Sequence, residues 1–253
     1  MKVCVLASGS KGNVTYIETE KTKSLIDVGM STAYIERKLK EININPKDIE
    51  RIFITHTHND HIKGLRVFLK KYNPTICLTE KMEEELGLII DKTLYLNKDM
   101  VIDDLNVRPI KTSHDVSDSN GYVFIENDKS LMYMTDTGYI NQRNFNKLKD
   151  HDVYILESNH DIEMLMEGSY PYHLKQRILG DKGHLSNKDS AYYLSEFTTK
   201  KTKKVILAHL SEHNNTPATA LAEYEKTFKK QKKYPPQAEV AKQNDRLEMI
   251  EIW

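Results

Sequence analysis

The chain has 253 residues, 39% hydrophobic and 29% charged, and its 37 Lys+Arg balance 37 Asp+Glu to zero formal net charge. That length can bury a sizeable core, and the composition excludes a disordered or membrane-spanning chain. The balanced charge singles out no polyanionic or membrane partner and sets no oligomeric state.

The two cysteines, Cys4 and Cys77, lie in the apolar stretches V-C-V-L and T-I-C-L. Neither belongs to a C-x-x-C pair, so they read as buried, reduced thiols. The opening M-K-V-C-V-L-A-S-G-S lacks the long apolar region of a secretory signal. No apolar run is long enough to span a bilayer. Together these point to a cytoplasmic protein with no membrane partner.

Short β-branched runs alternate with helical patterns along the chain, which predicts an α/β fold. Strands are expected over 3–6, 14–18, 24–28, 51–55, 75–78, 106–110, 121–126, 131–135, 153–157 and 204–208, with two more near Glu239 and across 246–252. Helices are expected over 31–41, 62–72, 81–86, 141–149, 187–198 and 216–230. No linker or internal repeat interrupts the pattern, so residues 1–253 read as one domain.

Between the first two strands, S-G-S-K-G-N (Ser8–Asn13) forms a tight turn. Its amides and the side chains of Ser10 and Asn13 can hold a phosphate, or the segment can be a plain hairpin connection. Further on, T-H-T-H-N-D-H (Thr55–His61) packs three imidazoles and a carboxylate into a strand-to-helix connection. Imidazole nitrogen and carboxylate oxygen suit borderline divalent ions, zinc or manganese first and also iron or cobalt. One ion rarely needs so many ligands, so two ions fit better. His56 and His58 can face one of them, while Asp60 and His61 turn to the other. Three more metal-type residues follow predicted strands: His114, Asp136 and His209. Open α/β sheets place ligand sites at such strand ends.

T-H-T-H-N-D-H resembles the signature of the metallo-β-lactamase superfamily. The resemblance implies an αββα sandwich, two mixed sheets flanked by helices, with both ions at one edge. It also implies that His114 (T-S-H-D) completes the site of His56 and His58, that Asp136 (T-D-T-G) bridges both ions, and that His209 (L-A-H-L-S) completes the site of Asp60 and His61. Within the superfamily, L-A-S-G-S-K-G-N, L-E-S-N-H (156–160), G-H-L-S-N (183–187) and A-H-L-S-E-H-N-N (208–215) are most similar to the WalJ/YycJ-type bacterial nucleases, relatives of tRNase Z and RNase J. That likeness implies a 5′ to 3′ DNA exonuclease, hence a nucleic-acid partner. The stretch from Asp136 to His209 is too short for the inserted domain of RNase J-type enzymes.

Two cations about 3.5–4 Å apart can share a water, lower its pKa and present hydroxide to a phosphodiester. Asp60 would orient that water. His184 would protonate the leaving oxygen or bind a phosphate oxygen, or else simply enter the helix beside a Ser186/Asn187 cap. Ser186 and Asn187 also count as candidate substrate contacts, as do His173 and Arg177, which sit with Tyr172 and Lys175 in an aromatic and basic stretch that can stack on bases and pair with phosphates or form a solvated helix face. Glu157 and His160 either orient a ligand or His184 or belong to a surface salt bridge. The lysine runs 200–204 and 229–233 can track a nucleic-acid backbone or end solvated helices. Two other readings fit the same residues: hydrolysis of a small ester, thioester or lactone, and a non-catalytic interaction module stabilised by metal.

Overall fold

A computed structural model of the chain describes residues 1–252. The first half contributes β1 (Lys2–Ala7), β2 (Val14–Glu18), β3 (Lys23–Ile26), α1 (Thr32–Glu41), β4 (Arg51–Phe53), α2 (Asn59–Ile62), α3 (Leu65–Tyr72), β5 (Thr75–Leu78), α4 (Glu80–Leu86) and β6 (Thr93–Tyr95). The second contributes β7 (Met100–Ile102), β8 (Leu105–Lys111), β9 (Asn120–Glu126), β10 (Lys129–Met134), α5 (Phe145–Leu148), β11 (Val153–Glu157), α6 (Ile162–Glu167), α7 (Tyr172–Leu179), α8 (Asn187–Phe197), β12 (Lys204–Ala208), α9 (Pro217–Lys230), β13 (Ala238–Val240) and β14 (Ile250–Glu251).

The strands form two mixed sheets among the described residues, ordered β14-β1-β2-β3-β4-β5-β6 and β13-β12-β11-β10-β9-β8-β7. In the first, β3, β4, β5 and β6 run parallel. In the second, β10, β11, β12 and β13 do. Inward-facing side chains such as Val3, Val5, Ile26, Phe53, Phe124, Tyr133, Ile155 and Ile206 pack between the sheets. The alternate residues face outward onto helices. Cys4, Leu6, Leu25, Ile52 and Ile76 meet Ile35, Leu39, Leu65 and Phe68, while Met132, Tyr154 and Leu207 meet Leu194, Phe197, Tyr224 and Phe228. A strand covered on both faces reads as an unbroken apolar run, which is why β1 is K-V-C-V-L-A. The result is the expected αββα sandwich.

Both cysteines are buried free thiols, and burial pushes each up to about 12. No helix among the described residues is long and apolar enough to cross a membrane.

Several predicted boundaries shift for identifiable reasons. The helix expected over 62–72 is broken into α2 and α3 at Gly64. Its N–H donates to the Val28 carbonyl (2.8 Å) and its carbonyl accepts from Thr32 Oγ1 (3.2 Å), pulling it out of a continuous helix. The strand expected to run to Val28 stops at Ile26 because Asp27 adopts φ 58°. The short strands β6 and β7 and the helix α6 went unread, and α7 entered only as the solvated-face alternative for residues 172–177. Of α7, no residue is buried, so it has no core-facing pattern to detect.

Candidate metal centre

Strand direction gathers the polar residues at one edge. Asp27 follows β3, His56 follows β4, His114 follows β8, Asp136 follows β10, Glu157 ends β11 and His209 follows β12. Three of these bends use a left-handed backbone, with φ 58° at Asp27, 56° at Asp136 and 56° at His209. Asp, Asn and His tolerate that conformation better than other side chains with a Cβ. The connection from β4 into α2 is clamped from behind, since the Asp60 carbonyl accepts from Asn13 N–H (2.8 Å) and the His61 carbonyl from Val28 N–H (2.8 Å). Approach there is so close that a Cβ on Gly29 would lie 1.7 Å from the Asp60 carbonyl oxygen.

The seven predicted ligands converge. His56, His58 and His114 bring ring nitrogens within 4.8 Å of one another, Asp60, His61 and His209 do the same with a carboxylate oxygen and two ring nitrogens, and the Asp136 carboxylate joins His56 and His61 in a third such group. Asp136 reaches both sides: Oδ2 is 3.1 Å from His61 Nε2, and Oδ1 is 3.5 Å from His209 Nε2 and 3.9 Å from His114 Nε2.

Four of the five imidazoles, all but His58, are oriented by a partner on the far nitrogen, which leaves the near one for a metal. His61 Nδ1 donates to Asp27 Oδ2 (2.7 Å), His209 Nδ1 to Glu157 Oε1 (3.1 Å), His114 Nδ1 to the Gly183 carbonyl (3.3 Å), and His56 Nδ1 to Thr55 Oγ1 (3.1 Å). Thr55 in turn donates to Asp27 Oδ2 (2.8 Å). The donor set fits divalent cations. His56 Nε2 is buried with no hydrogen-bond partner among the described residues, and His58 Nδ1 faces His114 Nε2 at 3.2 Å. Two imidazole lone pairs at that distance repel unless a proton or cation lies between them.

Electrostatics agrees. Burial opposes charge on His61 and His209, yet Asp27 and Asp136 hold His61 well above the ordinary imidazole range, and Asp136, Asp60 and Glu157 raise His209 to about 10. Against its own burial, Asp136 is held well below the usual carboxylate range by His209 and His61. The carboxylates thus create a field that demands cations, and in their absence protons answer it.

Glu157 is fully buried and saturated. It accepts from Thr137 N–H (3.0 Å), Leu185 N–H (3.1 Å), His209 Nδ1 and His184 Nδ1 (2.7 Å). His184 keeps its Nε2 for the adjoining cavity of about 310 Å³, which it lines together with His58, Asp60, His114, Asp136 and His209.

Of the expected substrate contacts, Ser10 and Arg177 line this cavity. The other four do not. Asn13 is fully buried, bonding Gly9 and lying 3.1 Å from His61 Nε2. Ser186 caps α8 by accepting from Asp189 N–H, and Asn187 is tied to Ser158 and Asn215. His173 is exposed outside the cavity lining. His160, expected to orient a ligand, touches none: its ring nitrogens have no partner among the described residues, and only its carbonyl works, accepting from Asn187 N–H (2.8 Å). The lysine runs lie at the far edge, where β12 begins and α8 and α9 end. There Lys201, Lys204 and Lys233 pair with Asp152, Glu239 and Glu196, so they do not border the cavity.

Sequence reasoning found Arg177 but missed Asp27, Asp115 and the other cavity residues on and beside α7, namely Tyr170, Leu174, Ile178 and Lys182. Asp27 carries no motif of its own and falls inside the strand expected over 24–28, so only the end of β3 at Ile26 reveals its strand-end position. Asp115 adjoins His114 and takes Arg177 Nε (2.6 Å) and Nη2 (2.5 Å) on one oxygen.

The family model of the metallo-beta-lactamase superfamily matches residues 7–148. The chain belongs to this superfamily. Membership implies a divalent metal cofactor and hydrolytic chemistry, for which the His/Asp clusters supply the donors. Among metallo-beta-lactamase proteins, it groups with the WalJ/YycJ exodeoxyribonucleases. It is 41% identical over 223 residues to exodeoxyribonuclease WalJ of Streptococcus pneumoniae, covering 85% of this chain and 83% of that protein. It is 40% identical over 218 residues to exodeoxyribonuclease YycJ of Bacillus anthracis, covering 83% of each. Among solved structures, the fold is shared with the metallo-beta-lactamase fold protein YhfI from Bacillus subtilis (TM-score 0.74, 14% identity, 98% and 99% of the two chains).

Proposed function

We propose that the chain is a metal-dependent phosphodiesterase that degrades DNA from its 5′ end in the cytoplasm, with two divalent ions, zinc or manganese, held by His56, His58 and His114 on one side, Asp60, His61 and His209 on the other, and Asp136 between. The observation that carries this reading is the convergence of these seven donors beside a cavity, in a chain 40–41% identical to exodeoxyribonucleases.

Divalent ions bound here would supply Lewis acidity, making water a nucleophile near neutral pH and neutralising charge on the phosphoryl oxygens. The protein's own groups do the rest. Asp60, in the first turn of α2 and partly exposed to the cavity, orients the attacking water. His184, held through Nδ1 by Glu157, presents Nε2 to the departing oxygen as proton donor. Because one Glu157 oxygen serves both His184 and His209, proton delivery and the second cluster share a single anchor. Ser10 and Arg177, which both line the cavity, contact the phosphate backbone.

The test uses purified protein with manganese or zinc and a duplex labelled at its 5′ ends. Early release of short labelled products is expected, with none from His58→Ala or Asp136→Ala proteins that retain their folded circular dichroism. A duplex left intact with every divalent metal would overturn the assignment.

A further inference from the structure

The cavity has two unlike walls. One is the polar cluster of histidines and carboxylates; the other is α7 with its flanks, contributing Tyr170, Leu174, Arg177, Ile178 and Lys182. Leu174 and Ile178 are four residues apart, on one helical face with Arg177. An apolar stripe on a helix ordinarily faces a core, yet no residue of α7 is buried. Leu174, Ile178 and Tyr170 are only half-buried, because what they face is the cavity.

The wall is built into the metal-binding loops. His184 N–H donates to the Ile178 carbonyl (3.0 Å), and the Gly183 carbonyl accepts from His114 Nδ1. A Cβ on Gly183 would lie 2.1 Å from the Ile178 carbonyl oxygen, so the end of α7 is pressed against the strap carrying His184. Two cations complete the wall. Arg177 is docked on Asp115, and Lys182 is exposed, with no ion-pair or hydrogen-bond partner among the described residues.

An apolar surface with an aromatic ring beside cations is the chemistry that receives a nucleobase with its phosphate. At about 310 Å³ the cavity is at the small end of ligand sites, matching one nucleotide rather than a base pair. We infer that Tyr170, Leu174 and Ile178 form a base-receiving wall for a single nucleotide at the end of a DNA strand, with Lys182 and Arg177 reading the adjoining phosphate. This rests on the nuclease reading above and adds the group of the substrate that the chain grips. Stacking of this kind tolerates any base, so it serves degradation without sequence preference.

The test compares kcat/KM of the manganese-loaded protein for two internally labelled oligonucleotides. They are identical except that one carries thymidine at both ends and the other an abasic tetrahydrofuran residue. The abasic substrate is expected to be cut about tenfold less efficiently, the size of one lost base contact. The ratio should fall toward one in Leu174→Ala and Tyr170→Ala. It should persist in Leu179→Ala, on the same helix but outside the cavity. Equal efficiency in the unaltered protein, or an unchanged ratio in both wall variants, would overturn the inference while leaving the nuclease assignment intact. Failure to cut either oligonucleotide would overturn the nuclease assignment, and the wall's ligand with it.

Discussion

Asp27 is the clearest case of a residue whose effect passes through another. Its carboxylate is fully buried and receives His61 Nδ1, Thr55 N–H (2.9 Å) and Thr55 Oγ1. It therefore fixes both the tautomer of His61 and, through Thr55, the ring of His56. Asp27→Asn removes the charge that holds the His61 proton on Nδ1. Metal affinity should then drop about 10- to 100-fold, read by titrating the metal-free protein with zinc calorimetrically. Unchanged affinity would show that Asp27 is only a fold residue. His184→Gln has a different signature: metal content is retained while kcat on DNA falls about 10²- to 10⁴-fold, the usual share of a general acid. Elemental analysis beside steady-state kinetics separates the two.

At the scale of elements, the site depends on loops pressed together where no side chain can intervene. Gly29→Ala would drive a Cβ into the Asp60 carbonyl and should destabilise the protein by about 3 kcal/mol, the upper range for single substitutions, in urea unfolding. Part of this arrangement was legible in sequence. Thr55–His61 announces a metal site through ligand density alone, and the strand-end positions of His114, Asp136 and His209 followed from β-branched runs. Cap residues were less informative. Ser186 and Asn187 fit both a helix cap and a substrate contact, and only the bonds to Asp189 N–H, Ser158 and Asn215 decide for the framework. Of helix α7 only the basic and aromatic residues 172–177 stood out, because its apolar face serves a cavity. Leu174 and Ile178 in isolation look like any half-exposed helix positions.

For the whole molecule, the two sheets bring the candidate ligands from distant segments to one edge, so metal binding there would close loops between the halves. His56, His58, Asp60 and His61 come from the first sheet's connections and His114, Asp136 and His209 from the second's. Each ion that binds only the folded arrangement stabilises it by about 2.7 kcal/mol at a hundredfold excess over Kd. At this chain length that is a rise in Tm of roughly 5–10 °C, measurable by calorimetry on the chelated and reconstituted protein. The basic runs 200–204 and 229–233 could be named from sequence but not located. Their place at the opposite edge follows from strand direction, since β12 begins at Lys204 and reaches the site only after Ala208.

If seven side chains hold a pair of ions and the pair hydrolyses DNA, activity must follow metal stoichiometry. Titrating manganese into the metal-free protein while following release of nucleotides tests it most directly. The rate should climb to a plateau at two equivalents per chain and stay at zero throughout for Asp136→Ala. A plateau at one equivalent, or nucleotide release that persists in the chelated protein, would contradict it.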